Sequence, residues 1–278
     1  MTTTTTTPGS AGAGDSAVSE GSVSGVRVFA SIFWRDLFVT GATLPTFLAK
    51  VVLQPFFFVF VFGKILTSLG FVQGDFVDVL IPGIIALTVF LTGLQSIALP
   101  LVIEFGWTKE IEDRLLAPLS TTMVAVEKVA FATLQALIAG ALMFPISLLV
   151  IGRLPIHAER SVQLVAFLVL AAVVGSATGL VLGTVVDVRR INIVFSLVLT
   201  PLLFTGCSQY PWPSLGGLAW FQVLTLVNPL TYASEGMRSA MVPQVPHMST
   251  AIAAAALLGI TVVALAGGIA GFRHRAVD

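Results

Sequence analysis

The stretch PGIIALTVFLTGLQSIALPLVIEFGWTKEIEDRLLAPLS, residues 82–120, decides the fold of this chain. It begins with an apolar run that carries no charge before Glu104, and it continues into a segment rich in charged residues. A charged side chain is costly in the hydrocarbon of a bilayer, and about 20 apolar residues suffice for a helix to cross it. The stretch therefore predicts a membrane-spanning helix followed by a charged connection, which we call the polar segment (residues 104–122).

The composition of the whole chain agrees with this prediction. Of the 278 residues, 56% are hydrophobic and 10% are charged, and the mean hydropathy is +0.99. Soluble domains are roughly 25% charged, so a water-soluble enzyme is excluded. The net charge is zero, which leaves no basic field for nucleic acid. One cysteine and three scattered histidines do not form a metal cluster. We expect an all-α integral membrane protein.

The distances between successive charges predict six membrane-spanning helices. Three uncharged runs, 79–103, 129–152 and 161–186, each fit one helix with its ends. The uncharged run 191–234 is too long for one span and is interrupted by prolines, so only its beginning is predicted to cross. The first span is flanked by Lys50 and Lys64, whose side chains can reach the interface. The predicted spans are 46–66, 79–103, 124–151, 162–186, 191–206 and 249–272.

The N-terminal part of the chain is predicted to lie outside the bilayer. Residues 1–24 are rich in Thr, Gly, Ser and Ala without an apolar run, which indicates a disordered tail. In residues 25–40, apolar residues recur at helical spacing opposite Arg27 and Arg35, as in a helix that lies in the membrane interface. The alternative is that this segment forms the first turns of a long first span.

The positions of Lys and Arg predict the orientation. If both termini are cytoplasmic, ten basic residues lie inside and four outside, which fits the positive-inside rule. The ten inner residues are Arg27, Arg35, Lys50, Lys109, Arg114, Lys128, Arg189, Arg190, Arg273 and Arg275. The four outer residues are Lys64, Arg153, Arg160 and Arg238. We expect a multi-pass protein of the cytoplasmic membrane, in contact with lipid.

The polar segment has the pattern of a short helix. Thr108 is a suitable N-cap, Ile111 and Leu115 share one face, and Pro118 ends the helix, which gives a predicted coupling helix at 106–118. Such a helix presents a mixed-charge surface to a soluble partner. The alternative is an ordinary solvated loop with one helical turn.

The second unusual segment is residues 210–246, which we call the hairpin segment. Its apolar run at 217–227 is too short to cross a bilayer, so a re-entrant or interfacial helical hairpin on the outer side is predicted. Asn228 and Pro229 are expected to set its turn. Glu235 and Arg238, three residues apart, could pair on one helix face. The alternative is a surface salt bridge of little energetic value.

Other patterns narrow the classes of function. No predicted span has a charge at its centre, which disfavours a proton-coupled carrier or a membrane-embedded enzyme, and no loop has the pattern of a nucleotide site. Gly175, Gly179 and Gly183 form a small-residue face, for packing within the chain or in a dimer. Phenylalanines such as Phe195 and Phe204 could touch an apolar substrate, although a lipid-facing position is the commoner explanation.

Three parts of the chain resemble the membrane subunits of type-2 ATP-binding-cassette (ABC) exporters. Residues 82–120 resemble that family's second span and coupling helix, with Glu104 and the run LLAPLS in place. The Gly-Thr pair expected between them is split here, because Trp107 separates Gly106 from Thr108. PLLFTG at 201–206 and NPLTYASEGMR at 228–238 resemble the family's fifth-span end and its NPLTY signature. Within that family, the chain resembles the antibiotic-resistance permeases of actinobacteria.

The resemblance implies a transport permease that is not itself an enzyme and binds no cofactor. It would form a homodimer or a heterodimer with a second permease, and two copies of a separate ABC ATPase would bind ATP and Mg. The implied ATPase-coupling residues are Glu104, Gly106, Thr108, Glu110, Glu112, Arg114, Leu115 and Pro118. The expected substrate pathway comprises Thr88, Leu91, Phe195, Leu199 and Phe204, and the expected outer gate Asn228, Pro229, Tyr232, Glu235 and Arg238. The expected cargo is an amphipathic or hydrophobic drug or antibiotic, and the alternative is a lipid-linked glycan or polysaccharide.

Overall fold

The computed structural model describes residues 34–35, 44–71, 75–108 and 120–277, and these form helices and connecting loops without a β-strand. Six of the helices are long and apolar enough to cross a membrane, which confirms the predicted all-α membrane fold. The segments predicted to be a disordered tail (1–24) and an interfacial helix (25–40) lie outside the described residues, apart from residues 34–35.

The helices are numbered here in chain order. Helix α1 comprises Leu44–Phe58, a π-helical part Val59–Ile65 and a last turn Leu66–Ser68, and α2 (Asp75–Ile103) is extended by a π-helical part, Glu104–Thr108. The others are α3 (Thr121–Ile151), α4 (Ser161–Val185), α5 (Ile191–Thr205), α6 (Ala219–Thr225), α7 (Pro229–Met241) and α8 (Thr250–Val277). Helices α1 to α5 and α8 are the candidate spans, and α6 and α7 belong to the hairpin segment.

Helices α2 and α8 extend the furthest beyond their predicted spans. Helix α2 begins at Asp75, before the predicted 79, and α8 ends at Val277, beyond the predicted 272. Asp78 lies within α2 because its carboxylate pairs with Arg153, with 3.1 Å between oxygen and nitrogen. A charge therefore marks the edge of the hydrocarbon layer more closely than it marks the end of a helix.

Helix α2 is the centre of the bundle. In the single chain, 89% of the most apolar part of α2 is buried, whereas only 6% of the most apolar part of α5 is buried. It packs against α3, α4 and α7. Its fully buried side chains include Leu80, Ile84 and Phe90. Helix α5 instead exposes an apolar face to its surroundings.

The glycine face of α4 allows this close packing. A Cβ atom on Gly175 would overlap the Phe90 carbonyl oxygen, and one on Gly179 would lie 2.5 Å from the Leu94 carbonyl oxygen. Without side chains at these positions, the backbones of α2 and α4 approach closely. The small-residue face therefore serves packing within the chain.

The bundle has two ends with different polar structure. At the polar-segment end, α2, α4 and α8 end while α3 and α5 begin. At the hairpin end, α2 and α4 begin and the hairpin segment packs across them. The polar-segment end holds the predicted coupling residue Glu104, and the hairpin end holds the predicted gate residue Asn228.

Candidate functional site

An ion pair ties the start of the polar segment to the third span. Lys128 Nζ donates hydrogen bonds to both carboxylate oxygens of Glu104, at 2.9 and 2.7 Å. Both side chains are nearly buried, with 10% and 13% exposed. At such burial, removal of one partner leaves a charge with little solvation, so the pair constrains where the polar segment leaves α2.

The next two residues are held by other elements. The Phe105 ring packs edge-on against Phe272 of α8, with 5.5 Å between centroids. A Cβ atom on Gly106 would lie 2.6 Å from Val188 Cβ, so the loop between α4 and α5 lies directly against this glycine. The expected coupling residues Glu104 and Gly106 thus lie at a junction of α2, α3, α8 and the α4–α5 loop.

The polar segment is only partly described. Thr108 is the last residue of the π-helical part, and Ser120 caps α3 by accepting a hydrogen bond from the Met123 amide at 3.3 Å. Residues 109–119 lie outside the described residues, so the predicted coupling helix 106–118 is described only in its first turn. The expected coupling residues that lie outside the described residues are Glu110, Glu112, Arg114, Leu115 and Pro118.

The expected pathway residues do not form one exposed surface in the single chain. Thr88 is buried, and its hydroxyl donates to the Ile84 carbonyl of its own helix at 2.8 Å. Phe195 is buried in the main hydrophobic cluster, against which Leu91 and Leu199 are packed. Phe204 is 61% exposed at the hairpin end of α5.

At the hairpin end, side chains of the hairpin segment complete the last turn of α5. Asn228 Nδ2 donates to the Leu202 carbonyl at 2.8 Å, and Thr231 Oγ1 donates to the Thr205 carbonyl at 3.1 Å. The Tyr210 hydroxyl donates to the Phe204 carbonyl. These carbonyls have no partner further along a helix, so the hairpin segment supplies the hydrogen bonds that a terminating helix lacks.

Asn228 and Pro229 also begin α7. The Asn228 side-chain oxygen accepts a hydrogen bond from the Leu230 amide at 2.9 Å, and Pro229 occupies the first helical position. This is the favoured arrangement for a helix start, because proline needs no hydrogen-bond acceptor there. Tyr232 lies one turn later, and its hydroxyl donates to the Leu226 carbonyl at 2.8 Å.

Glu235 and Arg238 pair within α7, and both side chains are fully buried. Glu235 also accepts hydrogen bonds from the Trp212 amide at 2.9 Å and the Met248 amide at 2.6 Å. Arg238 Nη2 donates to the Cys207 carbonyl at 3.0 Å. The alternative of a surface salt bridge is therefore wrong, because the chain segments before and after α7 fold over the pair.

The backbone between α5 and the hairpin segment is tightly constrained. Cys207 adopts a left-handed conformation, with φ of 50°, and the following Ser208 carbonyl lies directly against Gly83 of α2. Burial raises the pKa of the Cys207 thiol to about 11, and the Glu235 carboxylate acts in the same direction. The thiol is therefore protonated and unreactive at neutral pH.

Three side chains at the polar-segment end were not predicted as site residues from the sequence: Lys128, Phe272 and Arg275. Lys128 lies two turns inside α3, and a lysine at that depth is a signal that a partner is near. Arg275 Nη1 lies 3.2, 3.0 and 2.8 Å from the carbonyl oxygens of Gly183, Thr184 and Val186. Nothing in the sequence around Arg275 indicates that its side chain contacts carbonyl groups about 90 residues earlier in the chain.

Comparison with known proteins identifies the family. The family model for the ABC-2 type transporter matches residues 27–242. The inner membrane transport permease YadH of Escherichia coli K12 is 28% identical over 200 residues, which cover 70% of this chain and 75% of YadH. The ycf38 protein of Cyanophora paradoxa is 27% identical over 213 residues, 73% of this chain and 71% of that protein. The family match extends from before α1 to just past the end of α7. This multi-pass membrane protein therefore belongs to the ABC-2 type transporter family, as a permease of an ABC transporter.

Proposed function

We propose that the chain is the permease subunit of an ATP-driven exporter that moves amphipathic or hydrophobic small molecules, such as drugs or antibiotics, across the cytoplasmic membrane. The observation that carries the proposal is the anchored start of the polar segment. Glu104 is bonded to α3, Phe105 packs on α8, and Gly106 lies against the α4–α5 loop. A force applied to the polar segment would thereby be transmitted to α2, α3, α8 and the α4–α5 loop.

The proposed source of that push is a pair of ABC ATPase subunits that bind ATP and Mg. Association with an ABC ATPase is implied by the family, and the two copies are part of the proposal. Each ATPase would dock on the polar segment of one permease. The permease itself contributes no catalytic group.

The proposed partner in the membrane is a second permease, identical or homologous. Helix α5 exposes Ile193, Leu197 and Phe204 at spacings of four and seven residues, which lie on one helical face. Only 17% of the most apolar part of α1 is buried in the single chain. A dimer would place such faces around a shared apolar pathway, with the hairpin segments closing its outer side.

The coupling role is tested by substitution in the polar segment. We expect Glu112→Lys and Leu115→Asp to abolish most dye transport by the permease reconstituted with its ABC ATPase partner, because each change would reverse or remove a docking contact. The chain should still insert in the membrane. Transport of an amphipathic fluorescent dye and ATP hydrolysis are measured in the same proteoliposomes.

The control is Ser214→Ala in the hairpin segment, which should leave both rates unchanged. Normal dye transport in both polar-segment variants would contradict the docking role. Efflux of a fluorescent lipid-linked oligosaccharide, with no dye transport, would favour the glycan alternative.

The orientation is tested by cysteine labelling. We expect Ser214→Cys to react with a membrane-impermeant maleimide in intact spheroplasts, and Arg273→Cys to react only after lysis, because the basic residues concentrate at the polar-segment end. Both native positions are exposed at opposite ends of the bundle, and the native Cys207 is buried. Labelling of Arg273→Cys in intact spheroplasts would reverse the proposed topology.

A further inference from the structure

The last turns of α8 lie against the end of α4. A Cβ atom on Gly271 would be 2.8 Å from Thr184 Oγ1, and one on Gly268 would be 2.9 Å from Leu180 Cδ2. Glycine at both positions lets α8 approach α4 along its final two turns. This contact brings the C-terminal end of the chain to the start of the polar segment.

Arg275 joins two elements at this place. One guanidinium nitrogen lies within hydrogen-bond distance of three carbonyl oxygens at the end of α4, those of Gly183, Thr184 and Val186. A cation is favourable there because the carbonyls of a helix end carry a partial negative charge. The guanidinium carbon also lies 5.0 Å from the centre of the Phe105 ring, in a cation–π contact.

Phe272 completes the arrangement. Its ring is fully buried and meets Phe105 edge-on, in a cluster that includes Ile97, Leu101 and Leu180. Phe105 therefore lies between an aromatic ring and a cation that both belong to α8. We call Phe105, Phe272 and Arg275 the C-terminal clamp.

We propose that the C-terminal clamp positions the start of the polar segment, so that its displacement by the ATPase moves the ends of α4 and α8 together with α2. The inference rests on the proposed function. Among the described residues, Glu104 links the segment to α3 and Gly106 touches one loop, whereas Arg275 contacts the polar segment and the last carbonyls of α4 at once. Arg275 and Phe272 are positioning residues, since they act through Phe105.

The planar guanidinium is important for this role. It can lie over an aromatic ring while its nitrogens donate to carbonyls, whereas a lysine ammonium is a point charge that retains the carbonyl contact but loses the planar contact. Arg275→Lys is therefore expected to separate the two functions of the side chain. Phe105→Leu keeps an apolar side chain at position 105 but removes the aromatic ring over which the Arg275 guanidinium lies.

The experiment uses the permease with its ABC ATPase in nanodiscs. A reporter cysteine replaces Val227, which is 81% exposed in the hairpin segment, on a Cys207→Ser background. The maleimide labelling rate is measured with and without Mg-ATP and vanadate, together with the ATP hydrolysis rate. We expect Phe105→Leu and Arg275→Lys to hydrolyse ATP while the nucleotide-dependent change in labelling falls about two- to tenfold.

The double variant should be no worse than Phe105→Leu alone, because loss of the Phe105 ring already removes its contact with Arg275. Arg273→Ala changes an exposed arginine two residues before Arg275 that is not part of the clamp. It is the matched control and should leave the labelling change intact. Full nucleotide-dependent labelling changes in Phe105→Leu and Arg275→Lys would overturn the clamp while leaving the proposed function standing. Absence of an associated, hydrolysing ATPase in the wild-type complex would overturn both.

Discussion

Arg238→Ala is expected to destabilise the folded permease by about 3–5 kcal/mol, the usual effect of removing one partner of a buried ion pair. The Glu235 carboxylate would remain fully buried without its cation. The Cys207 carbonyl would also lose its guanidinium donor. The measurement is thermal unfolding in detergent, followed by size-exclusion chromatography of a fluorescent fusion.

The double variant Glu235→Gln/Arg238→Met separates the charge from the packing. It removes both charges and nearly preserves the volume, so it should be clearly more stable than Arg238→Ala. The matched control is Arg153→Ala, whose side chain is 58% exposed and pairs with Asp78. The Arg153 guanidinium is largely in solvent, so its pair with the nearly buried Asp78 carboxylate should contribute less than the fully buried pair. This variant should therefore lose clearly less stability than Arg238→Ala. Equal stability of Arg238→Ala and Arg153→Ala would refute a structural role for the buried pair.

The same pair bears on the proposed outer gate. Through Glu235 it holds Trp212 at the start of the hairpin segment and Met248 just before α8. Arg238 connects it to the turn at Cys207. Loss of this connection is therefore expected to change ATPase-coupled opening as well as stability, and transport by the folded fraction of Arg238→Ala should fall with it.

Gly83→Ala is expected to have the second large effect, about 3 kcal/mol or more of destabilisation. A Cβ atom at this position would overlap the Ser208 carbonyl, which belongs to the backbone and cannot rotate away. Overpacking in a core costs about 1–3 kcal/mol where side chains can adjust, and here the turn at Cys207 would have to move. Thermal unfolding and the yield of monodisperse protein measure the effect.

Gly259→Ala is the matched control, because Gly259 lies inside α8 and a Cβ atom there would have no neighbour within 4 Å. Alanine also has a higher helix propensity than glycine, so this variant should be as stable as the wild type or more so. If Gly83→Ala unfolded at the same temperature as Gly259→Ala, the close approach of Ser208 to α2 would be disproved.

The number of spans was predictable because the free energy of placing a charged side chain in hydrocarbon depends mainly on that residue and little on distant parts of the chain. The uncharged runs that end at Glu104 and begin after Arg160 correspond to α2 and α4 without reference to any other part of the chain. The ends of α2 and α8 were less predictable. Asp78 and Arg275 are accommodated within helices by partners from other elements, and such partners are absent from the local sequence.

The candidate site was predictable to the same extent. Asn228 and Pro229 begin α7 through contacts with neighbouring residues, so this role could be predicted from the two adjacent residue types. The pairing of Glu235 with Arg238 follows from a spacing of three residues. Its complete burial does not, because it depends on residues 207–212 and 248 folding over α7.

The sequence by itself therefore determined an all-helical membrane protein with six candidate spans among the described residues. It also determined a polar segment after the second span and an apolar hairpin segment before the last. These properties follow from the transfer of individual side chains between water and hydrocarbon, which depends on composition and order alone. The tertiary structure alone decided that Lys128 meets Glu104, that Arg275 reaches the end of α4, and that Gly83 faces a carbonyl. Each of these contacts joins residues that are distant in the chain, and helix packing alone brings them within the few ångströms over which hydrogen bonds and steric contacts act.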